Sequence, residues 1–130
     1  MADVLLATDA DWTFDEVAGA LIDDETRVSR VRSGRDLLAV TEELQPELVI
    51  LDLQIGSMGG MASCLELRAE SDAGRLPPQK VLMLLDRSAD VFLARRAGAD
   101  GWLIKPLDAF RLRRGRAALA EGGTFHESAG

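Results

Sequence analysis

Five short apolar runs alternate with five stretches of helical periodicity, and that alternation confines the chain to one class of fold. Asp3-Val4-Leu5-Leu6-Ala7 closes on Thr8-Asp9, the pattern of a strand buried on both faces. Thr13-x-x-Glu16 then fits a capping box, with Val17, Ala18, Leu21 and Ile22 following at helical spacing. Thr26 to Val31 gives a weaker strand signal, carried by Val28 and Val31. Ser33-Gly34-Arg35-Asp36 opens a second helix with Leu37, Leu38, Val40, Thr41 and Leu44 on one face, and Pro46 stops it. Leu48-Val49-Ile50-Leu51 is the clearest strand and runs directly into Asp52. After a loop with Gly56, Gly59 and Gly60, a helix runs through Leu65 and Leu67 to about Glu70, and Pro77-Pro78 ends the connection. Val81 to Leu85 reads as a fourth strand. Ser88 is placed to cap a helix with Phe92, Leu93 and Ala97 that Gly98 closes. Gly101 to Ile104 is a short fifth strand, and Asp108 caps a last helix with Leu112 and Leu119 inward and Gly115 in its interior.

Strands that alternate with helices imply a parallel sheet covered on both faces, here a doubly wound five-stranded α/β sheet of (βα)5 order. Ligands of such sheets gather beyond the carboxyl ends of the strands. Asp9, Asp52, Leu85 and Lys105 all fall at or just past a strand end, which joins four distant segments into one candidate site. The 130 residues suit one domain, 1–120, with 121–130 as a small, polar and flexible tail. On that reading no attached output domain is expected. A formal charge of −7 argues against DNA or membrane binding by the whole surface. One cysteine, Cys64, excludes an internal disulfide and suits a reducing cytoplasm, and no basic-then-apolar leader opens the chain.

Two segments carry a resemblance that spans about Asp3 to Leu119. Pro46-Glu47-Leu48-Val49-Ile50-Leu51-Asp52-Leu53 resembles the acceptor strand of bacterial response-regulator receivers. Ala97-Gly98-Ala99-Asp100-Gly101-Trp102-Leu103-Ile104-Lys105-Pro106 resembles their last-strand motif, and Gly60 falls eight residues after Asp52, where that family usually has glycine. The resemblance implies a flavodoxin-like receiver fold and a signalling protein rather than an enzyme. Asp52 would take a phosphoryl group from a sensor histidine kinase or phosphotransfer protein. Mg2+ would be held by Asp9, Asp52 and the backbone carbonyl of Gln54, and Lys105, ahead of a cis bond to Pro106, would bind a phosphoryl oxygen. Leu85 and Trp102 would stand at the switch positions, with Thr8 and Pro106 in the pocket. The downstream partner would be a protein contacted through the surface, and the last two helices offer a homodimer contact. Taken singly, Asp9 and Asp52 also read as turn residues and Lys105 as a surface charge.

Four departures separate this chain from the pattern. The family usually has two adjacent acidic residues after the first strand, where this chain has Thr8-Asp9. Leu85 replaces the usual Ser or Thr, with Asp86 next, so the hydroxyl that bonds the phosphoryl group is missing. Trp102 replaces a smaller aromatic, and Gly56 a proline. These changes raise an alternative, a phosphorylation-independent pseudo-receiver that acts as a docking module. The arginines of the last helix, Arg111, Arg113, Arg114 and Arg116, read equally as a solvated face or as a partner contact. A minor alternative takes Asp9-Ala10-Asp11-Trp12-Thr13 as the D-x-D-x-T signature of a haloacid-dehalogenase-type phosphatase, with Asp9 as nucleophile, Asp11 as acid/base and Lys105 as clamp. A glycine-free first loop carrying two aspartates argues against a flavin- or nucleotide-binding domain of the same layered fold.

Overall fold

A computed structural model of the protein describes residues 1–55 and 59–127. Among these residues the chain runs β1 (Ala2–Ala7), α1 (Asp11–Leu21), β2 (Thr26–Val31), α2 (Gly34–Leu44), β3 (Leu48–Asp52), α3 (Gly60–Asp72), β4 (Val81–Leu85), α4 (Val91–Ala97), β5 (Gly101–Ile104), α5 (Ala109–Ala120) and β6 (Phe125–His126). The strands form one sheet in the order β2-β1-β3-β4-β5-β6, parallel throughout. Every residue of β3 and β4 is buried, which explains their unbroken apolar runs. Alternate strand residues feed two cores. Leu5, Val49, Leu51, Met83, Leu85 and Trp102 pack on the α2–α3–α4 side, and Leu6, Ile50, Leu82, Leu84, Leu103 and Leu112 on the α1–α5 side.

Local signals place most element ends. Gln45 closes α2 at φ 50°, just before Pro46, and Gly98 closes α4 at φ 79°. The Asp108 carboxylate accepts the backbone N–H of Arg111 at 2.9 Å, the expected cap. The Thr13–Glu16 box does not form. Helix α1 starts three residues earlier, at Asp11 with Ala10 as its N-cap, and Thr13 is buried inside it. Ser88 is no side-chain cap either: it begins a 3-10 turn, Ser88–Asp90, ahead of α4.

The larger difference lies beyond α5. Residues 121–127, expected to trail away, turn at Gly122 and lay a sixth strand beside β5. Gly101 on β5 lets that strand approach closely. A Cβ there would lie 2.9 Å from the Phe125 carbonyl oxygen, whereas one on Gly115, which reads as a weakness of α5, would meet the Phe125 ring only in ordinary contact at 3.4 Å. Gly56 and residues 128–130 lie outside the described residues.

Candidate phosphoacceptor site

The β-strand order puts the ends of β1, β3, β4 and β5 side by side, and Thr8 and Lys105, just past β1 and β5, reach Asp52 at the end of β3. Its side chain is 2% exposed. An isolated carboxylate could not remain there charged without partners, and it has two strong ones. The Thr8 hydroxyl donates to Asp52 Oδ2 at 2.8 Å, and the Lys105 ammonium donates to Oδ1 at 2.8 Å. Thr8 Oγ1 itself accepts the backbone N–H of Ala10 at 3.1 Å, which leaves its own proton free to point at Asp52. Thr8 thus lies in the site as a hydroxyl donor to the Asp52 carboxylate, a role its pocket position alone did not foretell.

Lys105 has a second partner. Its ammonium also donates to Asp86 Oδ1, at 3.0 Å. Burial works against the charged form of Lys105, but hydrogen bonds to Asp52 and Asp86 outweigh it and hold the pKa above the ordinary 10.5. The Lys105–Pro106 peptide bond is cis. Asp86 is the residue that sequence reading passed over; the available signal was an acidic residue placed after β4 with its neighbour Leu85 facing inward.

Leu85 is fully buried in the α2–α3–α4 core, so no hydroxyl stands at the β4 position. Gly60 explains itself by contact. A Cβ on it would collide with the backbone carbonyl oxygen of Asp52 and lie 2.9 Å from Leu53 Cα. The start of α3 therefore packs directly on the end of β3, with Gly60 N–H donating to the Leu53 carbonyl at 3.0 Å.

Asp9 is exposed at the end of β1, and Gln54 is exposed two residues past Asp52. Among the described residues no three His, Cys, Asp or Glu side chains cluster to hold a metal. The donors present suit Mg2+ in kind: two carboxylates and a carbonyl are hard oxygen ligands, and this ion keeps several waters. Thr8 in place of a second acid makes the set one charge leaner.

Trp102 is buried and enclosed by the C-terminal segment. Its ring stacks on His126 at 4.0 Å and 4°, with the Arg95 guanidinium 5.1 Å from its centroid. Its Nε1–H donates to the Glu127 carbonyl at 3.0 Å. The Glu127 carboxylate accepts the Ile104 N–H at 2.8 Å and pairs with Arg111. The other α5 arginines are also engaged within the chain: Arg113 on the Ala20 carbonyl, Arg114 over Phe110 and Phe125, and Arg116 near Glu47.

A family model for the response regulator receiver domain matches residues 4–115. The chain belongs to that family. Among solved structures, the receiver is similar to the signal receiver domain of a signal transduction histidine kinase from Syntrophus aciditrophicus. The TM-score is 0.82 at 25% identity, covering 94% of this chain and 92% of that one. It is also similar to the chemotaxis response regulator CheY4 of Vibrio cholerae, with a TM-score of 0.75 at 26% identity over 88% of this chain and 94% of that one. The nitrate/nitrite response regulator NarL of Escherichia coli K12 is 33% identical over 85 residues, 65% of this chain and 38% of NarL. The DNA-binding response regulator MtrA of Mycolicibacterium paratuberculosis is 36% identical over 76 residues, 58% of this chain and 32% of MtrA. The aligned part thus covers less than half of either regulator. No helix among the described residues is long and apolar enough to cross a membrane.

The phosphatase alternative loses its footing in the same geometry. Lys105 bonds Asp52 and Asp86. Asp11, its acid/base candidate, is held below the usual carboxylate range by a hydrogen bond from Arg30 and the charge of Arg32. Asp11 is engaged by Arg30 and Arg32, and the family match sets this alternative aside.

Proposed function

We propose that this receiver accepts a phosphoryl group on Asp52 from a phosphohistidine of a sensor kinase or phosphotransfer protein, and signals through protein–protein contacts. One observation carries the reading: Asp52 is a buried carboxylate braced by the Thr8 hydroxyl and the Lys105 ammonium at the carboxyl edge of a parallel sheet. A carboxylate is already deprotonated, so the transfer requires no base. One Asp52 oxygen bonds to phosphorus as the phosphorus–nitrogen bond breaks. The donor imidazole, protonated at its other nitrogen, leaves neutral with the electron pair. Lys105 stays protonated and offers its charge to a phosphoryl oxygen, while Thr8 fixes the plane of the acceptor. Asp9, Asp52 and the Gln54 carbonyl would hold Mg2+, which supplies charge neutralisation for the incoming phosphoryl group.

Incubation with acetyl phosphate and Mg2+ should add one phosphoryl mass to the intact protein and none to Asp52→Asn. An unmodified wild-type protein would overturn the reading. It would favour the docking-module alternative, which draws its support from Leu85: with no hydroxyl on β4, the usual report of phosphorylation has no donor. Exposed Phe92 and Phe110 on α4 and α5 supply apolar surface for a protein partner or a second copy.

A further inference from the structure

The register of the sheet forces Lys105 past Asp86. Strand β4 lies between β3 and β5, and the Lys105 N–H donates to the Leu85 carbonyl at 2.8 Å, so β5 leaves the sheet beside the end of β4. To reach Asp52 on β3, the Lys105 side chain must cross over that end. Leu85, the last residue of β4, turns into the α2–α3–α4 core, and Asp86 follows just past the strand's carboxyl end. The ammonium is therefore shared, 2.8 Å from Asp52 Oδ1 and 3.0 Å from Asp86 Oδ1. Asp52 is buried at 2% exposure, whereas Asp86 is 35% exposed and begins the segment that leads to α4. Arg87 and Asp90 then tie that segment together: the Arg87 N–H donates to Asp90 Oδ2 at 3.1 Å, and the Arg87 guanidinium donates to Oδ1 at 3.2 Å.

We propose that Asp86 is a positioning residue that couples Asp52 to α4 through competition for Lys105, in place of the hydroxyl that Leu85 cannot provide. This rests on Asp52 being the phosphoacceptor. An aspartyl phosphate carries more negative charge than the carboxylate it replaces, about −1.5 to −2 for a phosphoryl group near neutral pH. It draws the Lys105 ammonium away from Asp86. Asp86 then faces the phosphoryl group without its counter-ion, and like-charge repulsion moves the 86–90 segment and the start of α4. The same charge makes Asp86 a brake on phosphoryl binding: Lys105 is never wholly available, and a second carboxylate lies near the incoming anion.

Beryllofluoride with Mg2+, a phosphoryl mimic, tests this on the whole protein by NMR. In wild type its binding should shift the backbone amides of 86–91. In Asp86→Asn, of nearly the same shape, the affinity should rise about fivefold or more at low salt. The 86–91 shifts should largely vanish while those beside Asp52 persist. The affinity gain should shrink at high salt, because the pair is partly exposed, and a purely structural role would not produce that dependence. Asp86→Glu should restore the wild-type response, and in a Lys105→Met background Asp86→Asn should no longer alter the 86–91 shifts. Equal affinity and equal shifts in wild type and Asp86→Asn would overturn the coupling and leave the acceptor reading intact. Binding by Asp86→Asn alone would support the brake. Failure of both proteins to bind beryllofluoride or take up a phosphoryl group would overturn the acceptor reading and this proposal together.

Discussion

The two flanks of Asp52 are built from different materials. On the β1 side the partner is Thr8, neutral, fully buried and fixed by a hydrogen bond from the next turn of backbone. On the β4–β5–β6 side the contacts are charged and partly exposed: Lys105 with Asp52 and Asp86, Arg111 with Glu127, and Arg95 over Trp102. A buried bond from a neutral hydroxyl responds little to salt, whereas part-exposed ion pairs are screened by it. The contrast teaches that this receiver keeps its rigid wall on β1 and its adjustable wall toward α4 and β6. The flank that lost an acid to Thr8 faces a flank that carries one more at Asp86.

The largest expected effect falls on the backbone shared by both flanks. Gly60→Ala places a methyl group against the Asp52 carbonyl and should cost about 3 kcal/mol or more in a denaturant titration. A near-neutral result would show that the acceptor loop yields. Gly101→Ala is aimed at the adjustable flank alone. Its Cβ would lie 2.9 Å from the Phe125 carbonyl oxygen and 3.2 Å from Leu82 Cδ1. It should cost about 1–3 kcal/mol and expose the amides of β5 to hydrogen exchange, without altering those of β1.

Thr8→Val tests the rigid flank, because it keeps the shape and removes the donor to a buried carboxylate. A loss of about 1–2 kcal/mol is expected, insensitive to added salt. Thr8→Asp should act differently: it sets a second carboxylate beside Asp52, lowers stability in chelator and regains it with Mg2+. A melting temperature indifferent to Mg2+ in that variant would count against the proposed cation site.

The smallest effect belongs to acid. A hydrogen bond from Arg111 holds Glu127 below its ordinary pKa of 4.5. Its folded-state pKa is depressed, so its contribution is full above the ordinary value and fades as pH falls through the lowered one. In a Trp12→Phe background, Trp102 emission should shift to the red across that window as the C-terminal strand loosens. Glu127→Gln should abolish the transition at a cost of about 1 kcal/mol. Unchanged emission would show that β6 stays seated on stacking and backbone bonds alone.

Sequence alone determined the βα order, the buried strands β3 and β4, the Asp108 cap, and the placing of Asp52 and Lys105 at strand ends. Each depends on neighbours within a few residues: apolar runs, turn residues, and the register of charge at a run's end. Tertiary structure decided what those residues touch. Thr8 and Asp52 are 44 residues apart, and Lys105 lies 53 from Asp52 and 19 from Asp86. No local pattern announces such a bond, because it exists only once parallel strands lie side by side in one order. The tail is the plainest case. Small and polar, 121–127 carries no strand signal of its own. It is ordered because β5 offers a free edge, Gly101 lets the Phe125 backbone approach it, and Arg111 and Trp102 bind Glu127.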